Sequence, residues 1–383
     1  MNSGCVTISD FENDFPDELE HLLEGLYHSP FATLAHHRHY CDLRHGTHAY
    51  VARGGKEGVL AALLWQCDGR IARVLNEQIG LPQDEVSRFA HHVFSTHRNI
   101  DVIEFHAVHA EGSQRPELPF PCQHFDCAED IVLRLPDSVD AYRASLGKST
   151  RSYLSRYMNK LRREHPDMRH EVLEQDDIGE ERVRRIVELN HARMQRRHRA
   201  SYIDESEVAR LLELVRRYGL LSQVVIGGEV RAGAIELRLG DHYFLQVLAH
   251  DSAFNDYGLG TLCCYLAICE CIARAGEEYH FLWGRYPYKT RLLGRQRKLQ
   301  HIALYRDRAC LARHGGLAAA NVWRAARFRN HDWMVRHLHQ PDLLGKGLRA
   351  AAQGAHAARG LLQLPRTIAQ AVSHAARSQQ NAG

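Results

Sequence analysis

LLSQVVIGGEVRAGAIELRLGDHYFLQVLAHDSAFNDYGLGTLCCYLAICECIARA, residues 220–275, reads as three strands, a glycine turn and a helix. Leu220–Ile226, Arg231–Leu239 and His242–Ala249 are rich in β-branched and aromatic residues. They are joined by the tight turns Gly227-Gly228 and Gly240-Asp241, which predicts an antiparallel meander. A loop over His250–Tyr257 leads to Gly258-Leu259-Gly260, which opens an apolar helix to Ala275. A glycine turn between a strand and a helix gathers unpaired backbone N–H groups at the positive end of the helix dipole, the makings of an anion site.

Outward from this stretch, Glu180–Arg197 and Glu205–Tyr218 read as helices, and Tyr279–Trp283 and Lys298–Tyr305 as later strands. From Val139 one long helix is expected to run to about Glu164. Its basic side chains Arg143, Lys148, Arg151, Arg156, Lys160, Arg162 and Arg163 face only Glu164, which fits either an anionic ligand or an acidic neighbouring domain. Further upstream, residues 11–28 read as a helix. Val59–Trp65 and Ile71–Leu75 read as a hairpin across Asp68-Gly69. Glu85–Phe94 is expected as a helix, and Asp101–His106 and Ile131–Leu135 as strands. Pro116–Pro121 reads as a loop. The expected fold is α/β with α+β layering: a mixed, mostly antiparallel sheet flanked by helices, in lobes 1–135 and 136–310, followed by a helical tail, 311–383.

The chain has 383 residues, 44% hydrophobic and 25% charged, ordinary for a globular protein. Its net charge of +3 hides an asymmetry. Residues 311–383 carry ten Lys and Arg against Asp332 and Asp342, leaving residues 1–310 with a net −5. In residues 318–338, Val322, Trp323, Phe328, Trp333 and Met334 alternate with Arg324, Arg327, Arg329 and Arg336, which fits contact with an anionic membrane or docking on the rest of the chain. After Gly345 the tail reads as loosely helical or disordered. The acidic first 20 residues lack the pattern of an export signal, and no apolar run approaches membrane-spanning length. A cytoplasmic protein with free thiols is expected, with peripheral contact at the inner membrane through the tail. Cys263, Cys264, Cys269 and Cys271 read as small core residues, and the spacing offers no metal site.

Four stretches together resemble the GNAT acyltransferases, and more narrowly their CelD/BcsL-type branch, which is related to the FemAB-like transferases. They are Ser145-Leu146-Gly147-Lys148-Ser149-Thr150-Arg151; Leu189-Asn190-His191-Ala192-Arg193-Met194; Asn255-x-x-Gly258-x-Gly260; and Phe281-Leu282-Trp283-Gly284-Arg285-Tyr286-Pro287-Tyr288-Lys289. The resemblance runs from about Tyr142 to Arg306 and implies tandem GNAT-like lobes, the first degenerate. It also implies acetyl-CoA or another acyl-CoA as co-substrate, with no metal. Val247, Leu248 and Ala249 would offer a strand edge to the pantetheine arm. Gly258, Leu259, Gly260 and Thr261 would hold the pyrophosphate through main-chain N–H groups, with Asn255 adding one hydrogen bond and no charge.

By the same resemblance Tyr288, with Tyr286 as its alternative, would serve the departing thiolate. Lys289 would bind an anionic group or be a solvated surface lysine. Lys148, Arg151 and Arg193 would meet the acceptor: a saccharide, or a sugar-phosphate or lipid-linked intermediate. The branch is associated with exopolysaccharide and cellulose biosynthesis. Nucleic acid is not expected, apart from tRNA if the chain is a FemAB-like aminoacyl transferase. A third reading is a non-catalytic GNAT-like binding protein.

From the residues themselves, Glu236 is a candidate base. However, alternation places it on one face with Arg238, opposite Ile235, Leu237 and Leu239, and so predicts an outward, ion-paired side chain. Gln246, polar in an apolar run, is a candidate for orienting substrate, and His250 and His280 are further candidate bases.

Overall fold

The computed structural model describes residues 6–43, 45–55, 58–110, 118–196 and 201–338. The segment after Gly345 and part of the Pro116–Pro121 loop lie outside these. The chain divides into two compact units, residues 1–310 and 311–383.

The first half of unit 1 runs β1 (Val6–Glu12), α1 (Leu19–Tyr27), α2 (Leu34–His37), β2 (Thr47–Gly54), β3 (Gly58–Asp68), β4 (Ile71–Val74), β5 (Gly80–Leu81), α3 (Gln83–Thr96), β6 (Val102–Ala110) and β7 (Cys122–Arg134). The second half runs α4 (Val139–Ser145), α5 (Lys148–Glu164), β8 (Arg169–Glu174), α6 (Glu180–Arg196), α7 (Glu205–Tyr218), β9 (Gly219–Ile226), β10 (Glu229–Leu239), β11 (His242–His250), α8 (Leu259–Ala273), β12 (Glu278–His280), α9 (Pro287–Arg291) and β13 (Arg295–Tyr305). Helices α10 (Arg308–Arg313) and α11 (Gly315–Leu338) follow.

One sheet holds the strands in the order β1-β2-β3-β4-β6-β13-β7-β12-β11-β10-β9-β8, with β5 beside β6. This order reads the same from both ends if each strand of one half is exchanged for its counterpart in the other. Four antiparallel strands, a crossover helix and a parallel strand occur twice, as β1–β4, α3, β6 and as β8–β11, α8, β12. The last strand of each repeat is traded: β13 pairs with β6, β7 pairs with β12, and β7 and β13 pair with each other along ten residues at the centre. Apart from the β4–β6, β5–β6 and β11–β12 pairs the sheet is antiparallel. The expected mixed, mostly antiparallel sheet flanked by helices is the observed architecture.

Helices cover both faces. In the second half α8 is apolar all round because it lies between the sheet and α4–α5. Its Leu262, Cys263, Cys264, Ala267, Ile268 and Cys271 pack against Ala232 and Ala234 below and Leu154 and Leu161 above. The opposite face is covered by α6 and α7, through Val183, Ile186, Leu211 and Leu214 on Ile235, Leu237 and Phe244. In the first half α3 and α1 take the two faces in the same way.

Several local expectations change. The helix read over residues 11–28 begins only at Leu19; Phe11 belongs to β1, and Asn13, at φ 61°, and Pro16 separate the two elements. The long helix from Val139 is broken at Leu146-Gly147, where Leu146 is extended. Strands β1, β2 and β8 were not legible: β1 and β8 are sheet edges with half-exposed, mixed sequences, and β2 is buried on both faces and shows no alternation. Glu236 does not face outward. Both faces of β10 are covered, and Glu236 is fully buried.

In the second unit, α11 exposes Val322, Trp323, Trp333 and Met334. Val322 and Trp333, like Trp323 and Met334, are eleven residues apart, three helical turns, so the four form one stripe. No helix among the described residues is long and apolar enough to cross a membrane.

Candidate active site

The site is built around a split in the sheet. β11 and β12 run parallel through only three rungs: His242 with Glu278, Tyr243 with Tyr279, and Phe244 with His280. Beyond these the chain leaves β11 and follows β7. The Phe281 N–H donates to the Ile131 carbonyl (2.8 Å), and the Ile131 N–H donates to that of Leu282 (3.2 Å), with Leu282 at φ 58°. β11 continues straight to His250, bonded on its other side to β10. Its edge from Leu245 to His250 faces the split. A register shift opposite Ile235 and Glu236 leaves Gln246 as the bulged residue, half-buried, with only a long contact (3.4 Å) from its amide to the Phe244 carbonyl. Val247 and Ala249 are buried and Leu248 half-buried, so these three present backbone to the split.

The edge leads to the glycine turn. The Asp251 carboxylate accepts from the Ala253 N–H (3.0 Å) and starts a tight turn, Ser252–Tyr257. Gly258 is left-handed at φ 57°, and a Cβ there would lie 2.2 Å from the Tyr153 hydroxyl. At Gly260 a Cβ would lie 2.6 Å from Nδ1 of His250. Asn255 is turned toward His250, with its Oδ1 2.9 Å from Nε2. Of the main-chain groups expected to hold a pyrophosphate, the Gly258 N–H already donates to Asn255 (3.0 Å) and the Thr261 N–H to Gly258 (3.0 Å). The N–H groups of Leu259 and Gly260 stand in the first turn of α8, where no intrahelical carbonyl can reach them.

One stripe of α5 flanks the turn: Tyr153, Tyr157, Lys160 and Glu164. Lys160 Nζ is 3.5 Å from the Asp256 carbonyl and 4.5 Å from the centroid of the Tyr257 ring, while the Tyr257 hydroxyl donates to Glu164 (2.8 Å). Lys160 thus brings positive charge to a turn where Asn255 brings none. Its neighbour Tyr153 and the contact with Gly258 were invisible in sequence, since they join segments about a hundred residues apart.

On the far side of the split stand the residues after β12. Tyr288 is partly buried against the core, edge-on to Phe281 and stacked on Tyr286, with ring centroids 6.3 Å apart in each case. Burial pushes its phenol well above the usual range; Cys264 adds to the shift, and the positive charge of Arg193 works against it. Cys264 lies on α8 and Arg193 on α6, helices on opposite faces of the sheet. Tyr286 and Trp283 are 45% and 53% exposed, so they form the solvent rim.

Lys289 is neither a surface lysine nor free to take an anion. It is buried, and its Nζ donates to the carbonyls of Phe281 (2.7 Å), Leu282 (3.2 Å) and Trp283 (2.6 Å). Burial lowers its pKa to about 8. Lys289 is therefore a clamp on the segment that forms the outer wall of the split. A Lys289→Met variant should keep the global fold but increase amide exchange of residues 281–285 about tenfold or more, as expected when buried carbonyls lose their donor. Unchanged exchange there would show that the clamp is dispensable.

Acidic groups reach the neighbourhood of β12 from other strands. His280 stacks on Phe244 at 4.1 Å, and its Nδ1–H donates to the Asp130 carboxylate, on β7, at 2.6 Å. Both are buried, which removes His280 as a solvent-accessible base. Glu236 sits beneath α8, with its Oε1 accepting from the Tyr279 hydroxyl (2.9 Å). Burial raises its pKa to about 8, against the pull of that hydrogen bond, so at neutral pH it is a carboxylic acid. Arg151 does not face a ligand: its guanidinium donates to the carbonyls of Ala144 and Leu146 (2.7 Å each), closing the end of α4. Lys148 is exposed at the start of α5. Arg193 donates to Asn190 (3.0 Å) and, of the three basic residues, is the one placed near Tyr288.

A hollow of about 800 Å³, lined by residues including Arg134, Pro136, Asp137, Ile272 and Glu277, lies at the C-terminal end of α8. It brings together none of the candidate groups.

Residues 148–290 match the family model described as an acetyltransferase (GNAT) domain. No curated protein matches the sequence. Among solved structures, FemX is similar over 79% of this chain and 99% of its own, at 8% identity and a TM-score of 0.53. The L-PGS of Bacillus licheniformis is similar over 78% and 93%, at 12% identity and a TM-score of 0.47. A tandem GNAT protein from the clavulanic acid biosynthesis pathway is similar over 78% and 98%, at 12% identity and a TM-score of 0.39. At 8% identity the FemX likeness speaks for the fold alone. From α5 through α9, the elements that build the split and the glycine turn, this chain carries a GNAT-type acyltransferase domain.

Proposed function

We propose that the chain transfers an acyl group from acetyl-CoA or another acyl-CoA to an amine or hydroxyl, with a saccharide or a lipid-linked saccharide as the favoured acceptor. The acceptor class follows the CelD/BcsL-type resemblance of the sequence. One observation carries the donor: the edge of β11, open after three rungs, runs directly into the first turn of α8. An extended pantetheine arm can add to that edge as a strand does. Its pyrophosphate then meets the N–H groups of Leu259 and Gly260, with Lys160 beside them.

The reaction is direct transfer. The acceptor attacks the thioester carbonyl, the carbon–sulfur bond breaks, and the acceptor's proton ends on the CoA thiol. In this reading the protein chiefly positions the reactants. The Tyr288 phenol, held protonated by burial, donates a hydrogen bond to the departing thiolate. Arg193 faces the acceptor from α6. The stripe on α11 would rest on an anionic membrane surface, with its arginines at the headgroups.

Calorimetric titration of the full chain with acetyl-CoA and longer acyl-CoAs tests the donor. Saturable binding is expected, weakened about tenfold by Lys160→Glu, which reverses the charge beside the turn while leaving the backbone alone. Absence of binding to any acyl-CoA would overturn the reading. The FemX fold then favours a second one, a FemAB-like aminoacyl-tRNA-dependent transferase, identified by product formed only from charged tRNA. If neither donor is used, a non-catalytic binding role is what remains.

A further inference from the structure

At the closed end of the split, three side chains converge that the transfer reaction does not use. His242 opens β11, and Glu278 and His280 lie on β12. The rungs His242–Glu278 and Phe244–His280, with the two-residue alternation, bring all three to the same face of the sheet. One donor atom from each lies within 4.8 Å of the other two. His280 is only 4% exposed, and its Nε2 faces Oε2 of Glu278 as an ion pair at 3.3 Å, with neither atom in a hydrogen bond of normal geometry. An ion seated between the two would satisfy both buried atoms.

The surroundings are those of a metal centre. The other nitrogen of His280 is held by the Asp130 carboxylate at 2.6 Å, which fixes the ring with Nε2 aimed at Glu278. The other oxygen of Glu278 accepts from Arg297 (2.6 Å). Asp241 stands 3.7 Å from Nε2 of His242 and 2.8 Å from Nδ1 of His28. Carboxylates that orient ligating imidazoles are the usual outer partners of such sites. Bonds of 2.0–2.2 Å in tetrahedral geometry separate donor atoms by roughly 3.3 Å, the distance found between Glu278 and His280; His242 completes the set within 4.8 Å of both.

We propose that His242, Glu278 and His280 bind a zinc-class divalent transition metal ion that clips β11 to β12 just before the two strands part. Two imidazoles and a carboxylate suit such an ion. Two other clusters of such donors occur among the described residues: His28 and Asp241 share His242 with this one, and around Asp10 His92 and His97 each place a ring nitrogen on the same carboxylate, at 3.1 and 3.3 Å.

The test uses the full chain, stripped with a chelator and titrated with Co²⁺ while its visible d–d absorption is followed, with Zn²⁺ then added to displace it. One equivalent with d–d bands is expected, and Zn²⁺ should raise the thermal midpoint. Glu278→Gln and His242→Asn should each weaken binding by about 100-fold or more and abolish the midpoint shift. Asp130→Asn should weaken it about 10- to 100-fold. His242 is half-buried at a strand end, so its variant serves if the others fail to fold. No binding would overturn the proposal and leave His280 between the Asp130 and Glu278 carboxylates alone. One equivalent bound with unchanged affinity in Glu278→Gln and His242→Asn would overturn it too, by placing the ion elsewhere.

Discussion

Replacing Glu236 with glutamine should stabilise the fold by roughly 3–5 kcal/mol at pH 8 and leave it nearly unchanged at pH 4. The folded carboxyl has its pKa raised by burial to about 8, against an ordinary value of 4.5. Below the lower value both folded and unfolded chains are protonated, and burial exacts no ionisation penalty. Between the two values the unfolded chain gives up its proton and the folded chain keeps it, so stability falls as pH rises through this window. Above about 8 the loss is complete. Glutamine cannot ionise, yet it preserves the shape of the side chain and the acceptor for the Tyr279 hydroxyl. Urea denaturation of both proteins at pH 4, 6 and 8 should show a gap that opens with pH. A gap of constant size would mean that the buried acid does not titrate as its surroundings dictate. Acyl transfer should survive the substitution, and its loss would restore Glu236 to the chemistry.

Tyr288→Phe should lower kcat by about 10²- to 10⁴-fold, the range of a lost proton-donating group, with KM for acyl-CoA unchanged. Only the hydroxyl is removed. The ring contacts with Phe281 and Tyr286 remain, so the thermal midpoint should hold. The effect falls on kcat because the hydroxyl meets charge that develops on sulfur only as the thioester bond breaks. Tyr286→Phe is the matched control: its ring lies on the rim, and a small effect is expected there. Wild-type turnover in Tyr288→Phe would reduce Tyr288 to packing.

The stretch from Leu220 to Ala275 was legible almost to the residue because its strands sit in the sheet's interior and its turns fall on glycines with positive φ, Gly227, Gly228 and Gly240. The glycine turn is a local pattern of the same kind, whereas the tyrosine after β12 is legible only through the family resemblance. What sequence reading missed is non-local. Lys289 looks like any lysine until three carbonyls eight or fewer residues away fold back onto it. Glu236 follows Arg238 in alternation, but alternation distinguishes solvent from core only when one face is open, and here both are closed. Asp130 meets His280 across 150 positions of sequence. The duplication itself left no trace in the residues and shows only in the order of the strands.

The traded strands at the centre of the sheet also set a timetable for biosynthesis. When β6 and β7 have left the ribosome, the first repeat still lacks the strand that will cover β6, because β13 is encoded some 170 residues later. At roughly 5–20 residues per second, that edge waits on the order of ten to thirty seconds. It leaves unpaired the backbone edge from Val102 to Phe105, where Val102, Ile103 and Phe105 flank Glu104, and unpaired strand edges can recruit other chains. The nascent protein thus carries an open strand edge for an interval fixed by its topology. A gene cut between the repeats would release two products, each with its own terminal strand and neither with the one it needs.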